Sequence, residues 1–234
     1  MADIQLSKRL KSITYYLPER ALFADIGSDH AYLPCYVCLN DSEASAIAGE
    51  INKGPYLRAY EQVQKWNLLE RIGVRQGDGL SVIEPNEVEQ VVIAGMGGTL
   101  ITNILENGKE KLAGVKRIIV QPNINARYVR KWLNKHSFSL SREQVIEEDG
   151  RYYEIIVADY NPSQPLMEYT EKEYYLGPIN GKEKSQAFIQ KWSGILQKNE
   201  RIIKEMKKAS QPDEQKIAEF EQQMDWIKEA LKDE

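Results

Sequence analysis

The sequence predicts an α/β protein with a seven-stranded, mostly parallel sheet, followed by a C-terminal antiparallel coiled-coil hairpin. Three observations predict it. From about residue 22, short β-branched runs alternate with longer amphipathic ones, the pattern of a parallel sheet covered by helices. The last two strand-like runs have no helix between them and are joined by Asp149-Gly150, a turn dipeptide, so the sheet ends in an antiparallel hairpin. Beyond residue 181, two apolar seams repeat at heptad spacing on either side of a turn.

Taken in order, an N-terminal helix is expected around 5–16. Strands follow at 22–26, 46–50, 74–77, 91–94, 117–121, 139–147 and 152–160, with helices at 31–39, 55–66, 99–112 and 126–135 between the first six. Two prolines and a serine within 161–165, then Gly177-Pro178, mark a linker over 161–181. It would separate a domain of residues 1–160 from one of residues 182–234. In the second, Phe188, Trp192, Ile195, Ile202 and Met206 form one seam, with polar Asn199 in the vacant place. Ile217, Phe220, Met224, Ile227 and Leu231 form the other, and the intervening Ala209-Ser210-Gln211-Pro212 stops the first helix.

With 234 residues, 31 Lys+Arg against 35 Asp+Glu and a net charge of −4, the chain reads as globular, and wholesale electrostatic binding to nucleic acid is disfavoured. The charge is nevertheless uneven. Residues 182–208 carry eight basic and three acidic side chains, and residues 213–234 carry three basic and eight acidic ones. Two readings stand: the two helices pair their charges along the hairpin, or Lys198, Arg201, Lys204, Lys207 and Lys208 face an RNA backbone. No stretch approaches the ~18 apolar residues of a membrane span, and the first twenty residues hold no apolar signal core, so a cytoplasmic protein with no membrane partner is expected.

Chemistry gathers where strands end. The segment Ala24-Asp25-Ile26-Gly27-Ser28-Asp29-His30 closes the first strand and opens a helix, the place where an open α/β sheet holds its ligand. It has one glycine where a dinucleotide fingerprint needs three, and a carboxylate where that fingerprint presents a pyrophosphate. A cationic ligand without phosphate fits better, and S-adenosyl-L-methionine is one. Glu50 ends the second strand, 23 residues after Gly27, where an acid accepts ribose hydroxyls. Gly77-Asp78-Gly79 follows the third strand, as a tight turn or as a carboxylate for an adenine amine.

The fourth strand ends Ala94-Gly95-Met96-Gly97-Gly98, where backbone can approach two ligands closely. The fifth ends Gln121-Pro122-Asn123, which adds amides to the same edge. Polar or glycine-rich clusters at five successive strand ends point to an active site. Five parallel strands closed by a hairpin are the architecture of a class I, Rossmann-like methyltransferase rather than of a dehydrogenase.

Those residues carry a resemblance: ADIGSDHAYLP at 24–34, AGE at 48–50, GDGL at 77–80, IAGMGG at 93–98, QPN at 121–123 and EDGRYYEI at 148–155. The chain resembles the bacterial TrmK family, the tRNA (adenine-22 N1)-methyltransferases, through residues 1–160 and on into the hairpin. The resemblance implies S-adenosyl-L-methionine as donor, S-adenosyl-L-homocysteine as its product, and an adenine of the tRNA D-arm as acceptor. Cys35-Tyr36-Val37-Cys38 departs from the aliphatic residues expected after Leu33-Pro34. A thiol redox pair is one reading of it, and buried core cysteines are the favoured one. With His30 and His136 out of ligand spacing, no metal is expected.

The expected cofactor contacts are Asp25, Gly27, Ser28, His30, Glu50, Ile51, Asp78, Gly79, Ala94, Gly95 and Gln121. Asp29, Met96 and Asn123 are the expected catalytic set. Adenine N1 has its own lone pair, so transfer needs positioning rather than a base, and a carboxylate stabilises the cationic product; Asp29 is the first candidate and Asp78 the second. The base must be flipped out of its stem, and Tyr32 or His30 is placed to stack on it or else to serve the helix. One of Tyr152 and Tyr153 borders the pocket, since they alternate across a strand. RNA contacts are expected from Lys8, Arg9, Lys11, Arg127, Arg130, Lys131, Lys135, Lys198, Arg201, Lys204 and Lys208, and a monomer over a homodimer. The alternatives are a class I methyltransferase of another acceptor, such as other RNA, a small molecule or a protein, and a coiled-coil interaction protein with a vestigial fold.

Overall fold

Each central strand buries both faces, and successive residues point to opposite ones. In the computed structural model, which describes residues 4–232, the strands β1 (Leu22–Ile26), β2 (Ser45–Glu50), β3 (Ile72–Gln76), β4 (Gln90–Met96) and β5 (Arg117–Pro122) run parallel. A hairpin of β6 (Phe138–Glu148) and β7 (Arg151–Tyr160) adds to β5 antiparallel, giving the order β3-β2-β1-β4-β5-β7-β6.

Ala24, Ile26, Val91, Ile93, Ile118 and Val120 pack on one face against α4 (Gly98–Asn107) and α5 (Ala126–Lys135), through Ile101, Leu105, Val129 and Leu133. Phe23, Val92 and Ile119 pack on the other against α1 (Lys8–Thr14), α2 (Tyr32–Asn40) and α3 (Lys53–Lys65), through Ile13, Leu33, Ala59 and Val63. Cys35 and Cys38 lie in this second core. Burial pushes their thiols up to about 12 and about 11, so neither is a thiolate at neutral pH.

The long helix expected over 99–112 breaks after Asn107. A Cβ on Gly108 would lie 2.5 Å from the Leu80 Cβ, and a short 3₁₀ turn, Lys109–Leu112, follows. The segment 161–181, expected as a linker, is partly helical: α6 (Glu171–Leu176) opens on a reciprocal Thr170–Glu173 capping box, and α7 (Asn180–Glu183) follows. The expected domain ends at residues 1–3 and 233–234 lie outside the described residues.

The tail is a pair of antiparallel helices, α8 (Gln186–Met206) and α9 (Glu214–Lys232): Phe188 and Trp192 meet Ile227 and Ala230, while Ile203 meets Ile217 and Met224. Val145 of β6 and Leu176 of α6 join the first of these clusters, so the root of the hairpin shares a core with the sheet. Arg130, expected on an RNA surface, is instead fully buried beneath this root. Its Nε meets Glu143 Oε1 at 2.5 Å, another guanidinium nitrogen meets Glu154, and a third donates to the Tyr174 carbonyl at 3.0 Å. Lys191 of α8 completes the cluster on Glu154. Burial alone would raise the Glu154 carboxyl, but Arg130 and Lys191 pull it down to about 2. An arginine on an amphipathic helix reads as surface until the strands that bring two carboxylates beneath it are in place.

Candidate active site

The strand order reverses direction between β1 and β4, so their carboxyl ends flank the crevice in which open α/β sheets bind ligands. Around it lie the ends of β2 and β5. The turn after β1 is built tightly onto β2: Gly27 and Ser28 both donate backbone N–H to the Gly49 carbonyl, at 2.9 and 3.2 Å, and Asp29 donates its own to Glu50 Oε1 at 2.5 Å. Gly27 has φ +71°, and Asp29, His30 and Ala31 follow at +41°, +69° and +54°. Three consecutive non-glycine residues in the left-handed region store strain that this hydrogen bonding to β2 holds in place.

The side chains of this turn are mostly acidic. Asp25 is buried and accepts from the Ser28 hydroxyl at 2.6 Å; burial, with Glu50 and Asp29 nearby, lifts its carboxyl to about 7. Glu50 is raised too, first by burial, while the Asp29 N–H opposes the shift. Asp29 projects its side chain outward, 86% exposed, with the His30 ring 3.5 Å from its carboxylate. His30 in turn stacks on Tyr32 at 5.5 Å between centroids. Asp25 and Glu50 are desolvated carboxylates that, among the described residues, pair with no lysine or arginine, and such groups make a site for a cationic ligand.

The opposite wall is knit from β4 and β5. The Gly95 N–H donates to Gln121 Oε1 at 3.1 Å, Gln121 Nε2 donates to Asn123 Oδ1 at 3.0 Å, and Asn123 Nδ2 donates back to the Gly95 carbonyl at 2.7 Å. The Asn123 N–H closes onto the Met96 carbonyl at 2.7 Å. Met96 lies across Gly27, where a Cβ would fall 2.2 Å from its Cε. Gly95 has φ +76° and open space on its Cβ side.

S-adenosyl-L-methionine fits these residues. The acidic turn suits its cation, among the described residues no hydrogen bond engages the second oxygen of Glu50, and the bare Gly95 leaves room for a ligand against the backbone. Exposed Ile51 follows Glu50 at the same edge, and Ala94 lies just before Gly95. Asp78 and Gly79 lie farther along the edge, in a recess shared with Leu100 and Ile104. Gln121, by contrast, is fully buried with its amide engaged, so it holds the wall rather than reaching a ligand, a correction to its expected cofactor contact.

Several expected RNA contacts also have partners within the protein. Arg9 pairs with Glu148 at 3.5 Å, lies over the Tyr153 ring at 5.0 Å and reaches Gln121 Oε1 at 3.4 Å; it is a brace for the β5 wall that its place in an N-terminal helix did not reveal. Tyr153 is thereby occupied, and Tyr152 borders a recess beside Asn123. Lys8 donates to the Glu147 carbonyl, and Lys131 pairs with Glu171. Lys11, Lys135, Lys198, Arg201 and Lys204 are exposed, and among the described residues none of them pairs with a carboxylate. Among the described residues charge pairing along the hairpin is sparse: Lys207 meets Glu221 at 2.7 Å, while Lys208, just past α8, pairs back to Glu205.

Sequence reasoning also missed Gly98, where a Cβ would fall 2.2 Å from the Asn125 carbonyl oxygen. The glycine run was visible, but the close approach of the α5 loop was not.

Comparison with known proteins agrees with this geometry. Residues 23–229 match the model of the family described as TrmK, tRNA (adenine(22)-N(1))-methyltransferase. The tRNA (adenine(22)-N(1))-methyltransferase of Bacillus subtilis is 44% identical over 235 residues, 99% of each chain, and the crystal structure of the B. subtilis enzyme superposes with a TM-score of 0.88 over 98% of this chain and all of that one. A putative tRNA (m1A22) methyltransferase of Streptococcus pneumoniae, solved in complex with S-adenosyl-L-methionine, is 37% identical with a TM-score of 0.87, covering 97% of this chain and 100% of that one. An uncharacterised Listeria monocytogenes protein is 41% identical with a TM-score of 0.92 over the same shares. With a matching family model, near-complete coverage and the acidic crevice at the β1–β4 junction, this chain belongs to the TrmK family of S-adenosyl-L-methionine-dependent tRNA (adenine(22)-N(1))-methyltransferases.

Proposed function

We propose that the protein methylates N1 of adenine 22 in the D-arm of tRNA. The observation that carries this reading is the acidic turn after β1, tied to Glu50, with the bare Gly95 near the end of the neighbouring strand β4. When bound there, S-adenosyl-L-methionine supplies an electrophilic sulfonium methyl. Glu50 accepts the ribose hydroxyls, Asp78, Gly79 and Ile51 receive the adenine end, and Gly27, Ser28, His30, Ala94 and Gly95 line the methionine end, above the buried Asp25.

The wall of Met96 and Asn123 positions the acceptor, a base flipped out of its stem. Adenine N1 attacks with its own lone pair, so no side chain needs to remove a proton. Positioning carries the rate. The exposed Asp29 carboxylate stabilises the positive charge that develops on the adenine. Phosphates meet Lys11, Arg127 and the unpaired cations of α8, Lys198, Arg201 and Lys204.

In this reading the protein acts as a monomer in the cytoplasm. The hairpin buries Ile203, Ile217, Met224 and Ile227 against itself, and among the described residues no helix is long and apolar enough to cross a membrane.

The test is transfer of labelled methyl to unmodified bulk tRNA, followed by digestion to nucleosides and mass identification. N1-methyladenosine mapping to position 22, absent with Glu50→Ala, is the expected result. Cofactor binding without transfer to tRNA would overturn the reading.

A further inference from the structure

Between the end of β5 and the root of the hairpin lies a recess of about 280 Å³ that the roles assigned above leave unused. Its lining includes Asn123, Arg127, Tyr152, Tyr175, Trp192 and Gln223. Ligand pockets run to roughly 300–1,000 Å³, so this one suits a single base-sized ring rather than a length of chain.

Its lining is aromatic. Tyr175 packs on the buried Trp192 with ring centroids 4.9 Å apart and planes tilted by 49°, and the Tyr152 hydroxyl is fixed on Gln190 at 3.1 Å. The buried charges beneath are two cations, Arg130 and Lys191, against two carboxylates, Glu143 and Glu154, so they balance. Arg127 is therefore the recess's uncompensated charge: its guanidinium lies 4.9 Å from the Tyr128 ring, donates to the Tyr128 hydroxyl at 3.0 Å and, among the described residues, pairs with no carboxylate. Aromatic rings, amides and an available guanidinium together recognise a nucleotide.

Position names which nucleotide. Asn123 lines this recess and also donates to the Gly95 carbonyl at 2.7 Å in the active-site wall, so an occupant lies beside the acceptor. Flipping a base leaves its neighbour without a stacking partner, which a site here replaces. α8, which supplies Lys191, Trp192 and Ile195 to the recess, carries Lys198, Arg201 and Lys204 beyond it for the next phosphates.

We propose that this recess receives the base of a nucleotide flanking the methylated adenine, with Arg127 on its phosphate, and so contributes to the choice of target. The assignment rests on the tRNA reading above. Its test is the kinetics of methyl transfer to tRNA transcripts whose bases on either side of the target adenine are changed one at a time. Wild-type protein is compared with Gln223→Trp, which fills the recess from α9, and with Arg127→Ala.

Wild-type kcat/KM is expected to vary tenfold or more with a flanking base. In Gln223→Trp that variation should fall within twofold and the KM for tRNA rise about tenfold, with S-adenosyl-L-homocysteine bound within twofold of wild type. Arg127→Ala should raise KM by a similar factor for every transcript and keep the preference. Wild-type indifference to both flanking bases overturns the proposal whatever the variants do, as does a folded Gln223→Trp that keeps the preference, or an Arg127→Ala with unchanged KM. Absence of any transfer to tRNA by the wild type overturns instead the reading on which the subsite rests.

Discussion

The backbone N–H of Asp29 donates to the Glu50 carboxylate across 2.5 Å, tying the strained turn after β1 to the end of β2. One Glu50 oxygen holds the turn, and in the proposed reading the other meets the cofactor. Glu50→Gln keeps an acceptor for Asp29 and loses the charge, while Glu50→Ala loses both. Calorimetric titration with S-adenosyl-L-methionine should show weaker binding in both, with Glu50→Ala the worse. A loss of roughly 1.5–3 kcal/mol is expected where a charged hydrogen bond goes. Equal affinities in wild type and Glu50→Ala would remove Glu50 from the cofactor site.

Asp29 itself uses only its backbone in that contact, and its side chain is exposed. Asn tolerates the left-handed φ of +41° that Asp29 adopts, so Asp29→Asn removes charge without straining the turn. Turnover should drop about tenfold or more, while the Kd for S-adenosyl-L-homocysteine stays within twofold. A wild-type kcat would exclude Asp29 from stabilising the product cation.

Asp25 gives the protein a pH-dependent stability. Its carboxyl is raised to about 7 in the fold, chiefly by burial, against an ordinary 3.8. The folded state therefore holds a proton that the unfolded chain has lost across that window. Its contribution is full below about pH 3.8 and is lost as pH rises through about 7. Asp25→Asn cannot ionise, so its melting temperature relative to wild type should climb between pH 4 and pH 8. A pH-independent difference would show that Asp25 does not titrate there.

Arg130 is a structural cation. Its removal leaves Glu143 and Glu154 buried without their shared partner, and breaking such a cluster costs on the order of 3–5 kcal/mol. Arg130→Ala should lower the free energy of unfolding by that amount at neutral pH. Its equilibrium unfolding, followed in urea, would refute this if stability stayed within 1 kcal/mol and only tRNA affinity fell.

Phosphate contact predicts a salt slope. Neutralising Lys198, Arg201 and Lys204 together to Gln should flatten the plot of log K for tRNA against log salt by roughly 0.7–0.9 per lost contact. The cofactor affinity should not change. An unaltered slope would place the tRNA elsewhere.

Five strand ends were legible because each carries a local signal: a glycine that must turn, an acid at adenosine spacing, a carboxylate between two glycines, a glycine run, an amide pair. Both cysteines were legible as core because Leu33 and Val37 surround them in one apolar helix. Arg9 and Arg130 were not. Each is one of several cations on its helix, and its partners come from β5, β6 and β7, from 13 to 139 residues away. Gln121 was placed at the right edge but given the wrong task, since its neighbours Gly95 and Asn123 were not seen to absorb its amide.

The sequence by itself determined the order of strands and helices and the chemistry of the carboxyl edge, because hydrophobic period and turn residues act within a few positions along the chain. Only the tertiary structure decided which cations face solvent, how the hairpin root joins the sheet, and that a recess opens beside Asn123. Those depend on charges and rings from distant segments meeting in a medium without water, where an unpaired ion costs more than the fold can lose.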